Sequence, residues 1–186
     1  IPSSSFKNEA ITKGMAQRIA FFGPNGVKIN LSEGYAIDGW GIKHTIENFN
    51  CVAVMGQDGS SVVGSAGPDY FDLHEYPTTG KALIDGGGGV NTARTFYYNP
   101  SDFLVKVLPD GRSAFVSYVG SDNSRYHAGF IYELRNIDSI LFAARPNNAP
   151  DQTFLLKDLI TDPPSVTVSA SSSQVTEGGA ANFSIK

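Results

Sequence analysis

The side chains best placed to do chemistry in this sequence are oxygen donors set among glycines: Asp69, Asp72, Asp85 and Asn91, close to Gly64, Gly67 and the run Gly86-Gly87-Gly88-Gly89. Carboxylates and amides on tight turns suit a hard cation, because calcium takes six to eight oxygens, many of them supplied by turn carbonyls. Asp69 sits at the sixth position of Gly64-Ser65-Ala66-Gly67-Pro68-Asp69-Tyr70-Phe71-Asp72. That segment fits the nonapeptide G-G-x-G-x-D-x-U-x with only Ser65 replacing the second glycine. Asn91 offers a neutral oxygen at the same position of Gly86 to Arg94, and Asp72 and Asp85 lie beside the turns.

Other chemistries find less support. His44, His74 and His127 are too far apart for a zinc signature, and His74-Glu75 lacks the second histidine of a metalloprotease helix. Val63-Gly64-Ser65-Ala66-Gly67 belongs to the glycine-rich turn and not to a nucleophile elbow between a strand and a helix. The glycine run ends in Val90-Asn91-Thr92, without the Lys and the helix opening that a phosphate cradle requires. Cys51 is the single cysteine, so no internal disulfide forms, and its apolar neighbours Val52-Ala53-Val54 favour a small buried side chain. No enzymatic constellation stands out. The tyrosines and Trp40 are a different resource, since exposed aromatics beside polar groups can stack on sugars or anchor peptides. The alternative binding surface expected on that basis uses Tyr76, in the segment Leu73 to Lys81, and Tyr126, in the segment Gly120 to Gly129.

These residues need strands to position them. Short apolar pieces broken by Gly, Asn and Asp recur at Ile19 to Phe22, Val27 to Leu31, Cys51 to Met55, Ser61 to Val63 and Tyr70 to Leu73. The nonapeptide reads as one turn of a parallel β-roll, its glycines permitting close backbone approach and Phe71 pointing into the core. The preceding nine residues, Met55 to Val63, keep Val62 at the core position but carry Ser60 in place of the acid; Gly86 to Arg94 places Ala93 there. Tyr76-Pro77-Thr78-Thr79-Gly80 reads as a loop bulging from the stack. Phe103 to Leu108 and Ser113 to Tyr118, joined by Pro109-Asp110-Gly111-Arg112, signal a hairpin that closes the roll, and Phe130 to Leu134 and Ser139 to Ala143 add two strands. Ile11, Met15 and Ile19 recur at intervals of four and predict a short helix within Phe6 to Arg18, capping the other end.

Composition agrees with β-structure. Charged residues make up 17%, below the roughly 25% of ordinary domains, and 20 glycines and 10 prolines imply many turns. A net charge of −4 with scattered Lys and Arg argues against a nucleic-acid partner. No run of about 18 apolar residues predicts a membrane span, and no basic-then-apolar N-terminus predicts a signal peptide, so targeting information is expected outside these residues.

The order of these segments resembles the RTX, or haemolysin-type calcium-binding, modules of bacterial exoproteins. Val27 to Gly41 followed by Thr45-Ile46-Glu47-Asn48-Phe49 is similar to the leader before the repeats, with departures at Asn30, His44 and Ser60. Asp85 to Thr92, Phe96-Tyr97-Tyr98, Asp110-Gly111 and Asn136-Ile137-Asp138-Ser139-Ile140-Leu141-Phe142 are similar to the closing unit, so the likeness spans roughly residues 20 to 160. Beyond Pro163-Pro164, the alternation of Ser165 to Ala170 and the segment Val175 to Ile185 resemble the first strands of a Calx-β or immunoglobulin-like repeat; those residues either open a following domain or form a tail pairing onto the roll.

The expectation is therefore an all-β chain. Residues 1–19 form an N-terminal cap or linker, residues 20–162 a degenerate right-handed parallel β-roll with a closing antiparallel hairpin, and residues 163–186 a linker with the first strands of the next repeat. The resemblance implies a non-catalytic structural or adhesion module of a large extracellular or surface-attached bacterial protein, next to β-sandwich repeats of the same chain. It implies calcium as a structural ion held by Asp69, Asp72, Asp85 and Asn91. A glycan- or peptide-binding module and an accessory domain of a secreted enzyme are the alternatives.

Overall fold

A computed structural model describes residues 5–7, 18–55, 57–74, 80–96, 99–121, 129–143, 150–160, 168–170 and 183–185. Among them the chain is all-β: two mixed sheets, neither closed on itself, and a separate two-stranded pair, with two short 3-10 turns at Pro100–Asp102 and Leu156–Leu159. No helix among the described residues is long and apolar enough to cross a membrane.

Between residues 43 and 107 each strand lies in the opposite sheet from the one before it, whereas the strands within 28–47, 103–135 and 139–155 follow one another inside a single sheet. The six-stranded sheet holds β2 (Arg18–Ala20), β6 (Cys51–Met55), β8 (Tyr70–His74), β10 (Thr92–Phe96), β14 (Ser139–Ala143) and β15 (Gln152–Leu155). The first five of these are mutually parallel neighbours, and β15 returns antiparallel to β14. The nine-stranded sheet holds β3 (Lys28–Asn30), β7 (Ser60–Val63), β9 (Gly80–Asp85) and β13 (Phe130–Arg135) as a parallel centre. Around that centre lie β4 (Tyr35–Ile37), β5 (Lys43–Glu47) and β1 (Ser5–Lys7) on one side, and β12 (Ala114–Tyr118) and β11 (Phe103–Val107) on the other.

Strand alternation puts one apolar row on the inner face of each sheet. In the six-stranded sheet, Ile19, Val52, Phe71, Ala93 and Ile140 stand opposite one another in register, and in the nine-stranded sheet Ile29, Val62, Ile84 and Leu134 do the same. All are buried and share one core. Each large side chain so buried contributes about 1.5–3 kcal/mol. The expected core positions Val62, Phe71 and Ala93 all lie in this core, with Val62 on the opposite sheet from the other two.

The hairpin expected around Asp110-Gly111 forms from β11 and β12, and β12 continues antiparallel onto β13. One expectation needs correction. The two ends of the predicted N-terminal helix are strands: β1 lies parallel to β5 with Phe6 opposite Ile46, and β2 lies parallel to β6; residues 8–17 fall outside the described residues. Pairing with β1 satisfies backbone groups that β5 would otherwise leave open at a sheet edge. The expected bulging loop lies outside the described residues except for Gly80, which opens a strand, β9, whose Ala82 and Ile84 are completely buried. At the C-terminus, β16 (Val168–Ala170) pairs antiparallel with β17 (Phe183–Ile185), apart from both large sheets.

Candidate functional site

Among the described residues four turns carry the chain from the nine-stranded to the six-stranded sheet, residues 48–50, 64–69, 86–91 and 136–138, and the last three hold the polar network. They stack in contact. Gly64 N–H donates to Asp85 O at 2.7 Å, Gly86 N–H to Arg135 O at 2.8 Å, and Thr92 N–H to Asp69 O at 3.0 Å. Such closeness requires glycine: a Cβ on Gly64 would lie 2.3 Å from Gly86 O, and one on Gly86 would lie 2.3 Å from Asn136 O.

Side chains join the layers through the last residue of each turn. Asp69 N–H donates to Asn91 Oδ1 at 3.0 Å, and Asn91 N–H donates to Asp138 Oδ2 at 2.8 Å. The Asn91 amide nitrogen donates to Gly88 O and Asn136 O, both at 2.9 Å. With its oxygen receiving one N–H and its nitrogen facing two carbonyls, that amide has one workable orientation. Within its own turn, Asp69 accepts from Ser65 N–H at 2.7 Å and from the Ser65 hydroxyl. Burial pushes the Asp69 carboxyl above its ordinary pKa, against the lowering effect of the Ser65 donors. Asp85 accepts from Gly87 N–H at 3.0 Å and from the Asn136 amide at 2.8 Å.

The far end of the stack meets Arg112, which the hairpin between β11 and β12 delivers. Asp110 shapes that turn by accepting from the N–H groups of Arg112 and Ser113 and from the Ser113 hydroxyl, and these bonds hold its carboxyl below the usual range. Gly111 takes the positive φ of 68° that the turn needs. The Arg112 guanidinium then lies 3.1 Å from Asp138 Oδ1 and 3.2 Å from Oδ2, and reaches Gly89 O at 3.3 Å.

Asp69, Asp85 and Asn91 are therefore together in the turn stack, but Asp72 is not. Phe71 points inward, so Asp72 points out of the six-stranded sheet on the opposite face of the strand. There it is fully buried, with Arg94 Nε at 2.6 Å from Oδ1 and Arg18 Nη1 at 3.4 Å from Oδ2. Arg94 lies over the Tyr70 ring, 5.0 Å from its centroid, and its Nη2 is 3.2 Å from Cys51 Sγ. Burial, then the nearby Asp72 charge, push the Cys51 thiol up to about 11, so this buried cysteine is no nucleophile at neutral pH.

A third polar cluster occupies the β4–β5 connection. His44 Nε2 is 3.0 Å from Asp38 Oδ2, and Asp38 Oδ1 accepts from the N–H groups of Trp40 and Ile42. Burial would raise the Asp38 pKa, but these hydrogen bonds outweigh it and hold the carboxyl below its ordinary value. The turn displays Trp40 with 65% of its surface exposed, and the neighbouring Phe22, whose carbonyl accepts from Gly39 N–H, is 48% exposed. Tyr76, Tyr126 and His127 lie outside the described residues, as does the side chain of His74.

A calcium ion would meet turn-stack oxygens that are already engaged within the chain in this arrangement. The ion needs six to eight converging oxygens, yet Ser65 covers Asp69, Gly87 and Asn136 cover Asp85, the Asn91 amide covers two turn carbonyls, and Arg112 covers Asp138. No group of three or more His, Cys, Asp or Glu suited to a metal is present among the described residues. Sequence reasoning named three members of this network and missed Asp138, Asn136, Ser65 and Arg112 as its partners. The signal for Asp138 was available, because Asp69-Tyr70-Phe71, Asn91-Thr92-Ala93 and Asp138-Ser139-Ile140 share one order: polar cap, outward residue, inward apolar residue. No protein-family model, curated protein or solved structure matches this chain.

Proposed function

We propose that this chain is a non-catalytic structural module of the parallel β-roll kind, from a large extracellular or surface-attached bacterial protein of the RTX type. The observation that carries the reading is the repeated passage between two sheets, with Val52, Phe71, Ala93 and Ile140 in one register and Ile29, Val62, Ile84 and Leu134 in the other. Each pass contributes one inward residue per sheet and one capped turn, which is the logic of a stacked repeat. The buried polar residues described above are spent on one another, as suits a spacer that presents neighbouring domains. On this reading the pair β16–β17 opens the next β-sandwich repeat of the same chain.

A second reading, a glycan- or peptide-binding module of an adhesin, is favoured by one observation, the exposed Trp40 held on a hydrogen-bonded turn beside exposed Phe22. Glycan and peptide arrays probed with the 186-residue chain and with its Trp40→Ala variant separate the two. The structural reading expects no binding that depends on Trp40; reproducible binding lost in Trp40→Ala, or in variants of Tyr76 or Tyr126, would replace it with the second.

A further inference from the structure

We propose that Arg112 is the resident cation of the turn stack, so that the chain folds and holds its stability without calcium, and that removing the guanidinium turns the stack into a calcium responder. The inference rests on reading the stack as a calcium-type roll, and concerns what replaces the ion.

Four oxygens converge where Arg112 lies: both carboxylate oxygens of Asp138 at 3.1 and 3.2 Å, Gly89 O at 3.3 Å and Asn136 O at 3.5 Å. These are oxygens of the kind a hard cation takes, although Asn136 O is shared with the Asn91 amide and water would have to complete a shell of six to eight. Here one guanidinium, with five N–H donors in a fixed fork, takes the ion's place. The delivery is built in: Asp110 and Gly111 shape the turn, and Ile137 N–H donates to Arg112 O at 2.9 Å, tying the hairpin to the last layer.

The middle layer is adapted to the same end. An aspartate at 91 would bring a third carboxylate against Asp69 and Asp138 and turn an oxygen toward Gly88 O and Asn136 O. Asn91 instead donates to both carbonyls and adds no charge. Arg112 and Asp138 line an open cleft of about 410 Å³ with Asp110, Gly111, Leu155 and Lys157, so an ion has a path in once the guanidinium is gone.

The test is thermal unfolding of the full chain and of Arg112→Gln and Arg112→Lys, each in millimolar calcium and in chelator. An ion held with a dissociation constant a hundredfold below the added calcium would raise the Tm by about 5–10 °C. The wild type is expected to shift by less than about 1 °C. Arg112→Gln is expected to melt about 2–6 °C lower in chelator and to recover part of that loss in calcium. Arg112→Lys keeps a cation at the position, and is expected to fold in chelator and to ignore calcium. If Arg112→Gln fails to fold, the wild type and the lysine variant still decide the matter. A wild type stabilised by calcium, a lysine variant that needs it, or a glutamine variant as stable as wild type and indifferent to calcium would each overturn the assignment. A calcium-stabilised wild type would leave the roll reading standing and remove Arg112 alone.

Discussion

Asp69 and Asp72 are three residues apart, both are buried, and the molecule treats them in opposite ways. Asp69 ends a turn and receives neutral donors from Ser65, so burial wins and its pKa rises. Asp72 lies on the outer face of a strand and receives two guanidinium groups. The hydrogen bond and charge of Asp72 outweigh the desolvation of Arg94 and hold that guanidinium more firmly cationic than usual. A carboxylate's place on the pleat, more than its distance from a glycine-rich motif, decides which partner it meets.

The sharpest way to test that contrast is truncation of the charged site. Asp72→Ala would leave two arginines against a sheet face with no counter-charge. Breaking a buried pair by removing one partner costs about 3–5 kcal/mol, and because Arg18 and Arg94 both reach solvent the lower end, about 3 kcal/mol, is expected in urea unfolding. Asp72→Asn keeps an acceptor for Arg94 and should lose about half as much. Equal, negligible losses would show that the cluster is decoration.

Asp69 should respond weakly, with a pH dependence set by its raised pKa. Its folded-state pKa lies above the unfolded one, so ionised Asp69 lowers stability at neutral pH, and that effect is relieved as pH falls through the interval between the two values. Asp69→Asn removes the charge and keeps an oxygen for Ser65 N–H. Relative to wild type it should be more stable at neutral pH, a gain that vanishes below the carboxylate range. Asp38 runs the other way in both proteins, because its lowered pKa gives stability that is lost as pH falls through it. An Asp69→Asn variant much less stable than wild type at neutral pH would mean that the carboxylate is needed as an anion, as a metal ligand would be.

The strands were legible in the sequence because apolar residues alternate between glycine-rich breaks, and Phe71, Val62 and Ala93 were legible as core positions for the same reason. β9 was not, since Tyr76-Pro77 and Gly80 drew attention to the turn and away from the alternation of Ala82 and Ile84. Asp72 is close to the turn residues in sequence, yet with Phe71 facing inward it belongs to the other face of the strand. Arg18, Arg94 and Arg112 were illegible because each meets its carboxylate across 22 to 54 residues of chain, through sheet register and a hairpin. Local spacing carries no trace of such pairings.

Amide hydrogen exchange reads the side-chain rungs between turns most directly. The amides of Asp69 and Asn91 donate to the next layer, at Asn91 Oδ1 and Asp138 Oδ2. They should exchange only on global unfolding, with protection within about tenfold of the β8 amides and unchanged by calcium. In Asn91→Ala the protection of Asp69 should collapse while that of β8 largely persists. Rapid exchange of both amides in the wild type, or protection that appears only when calcium is added, would contradict the account.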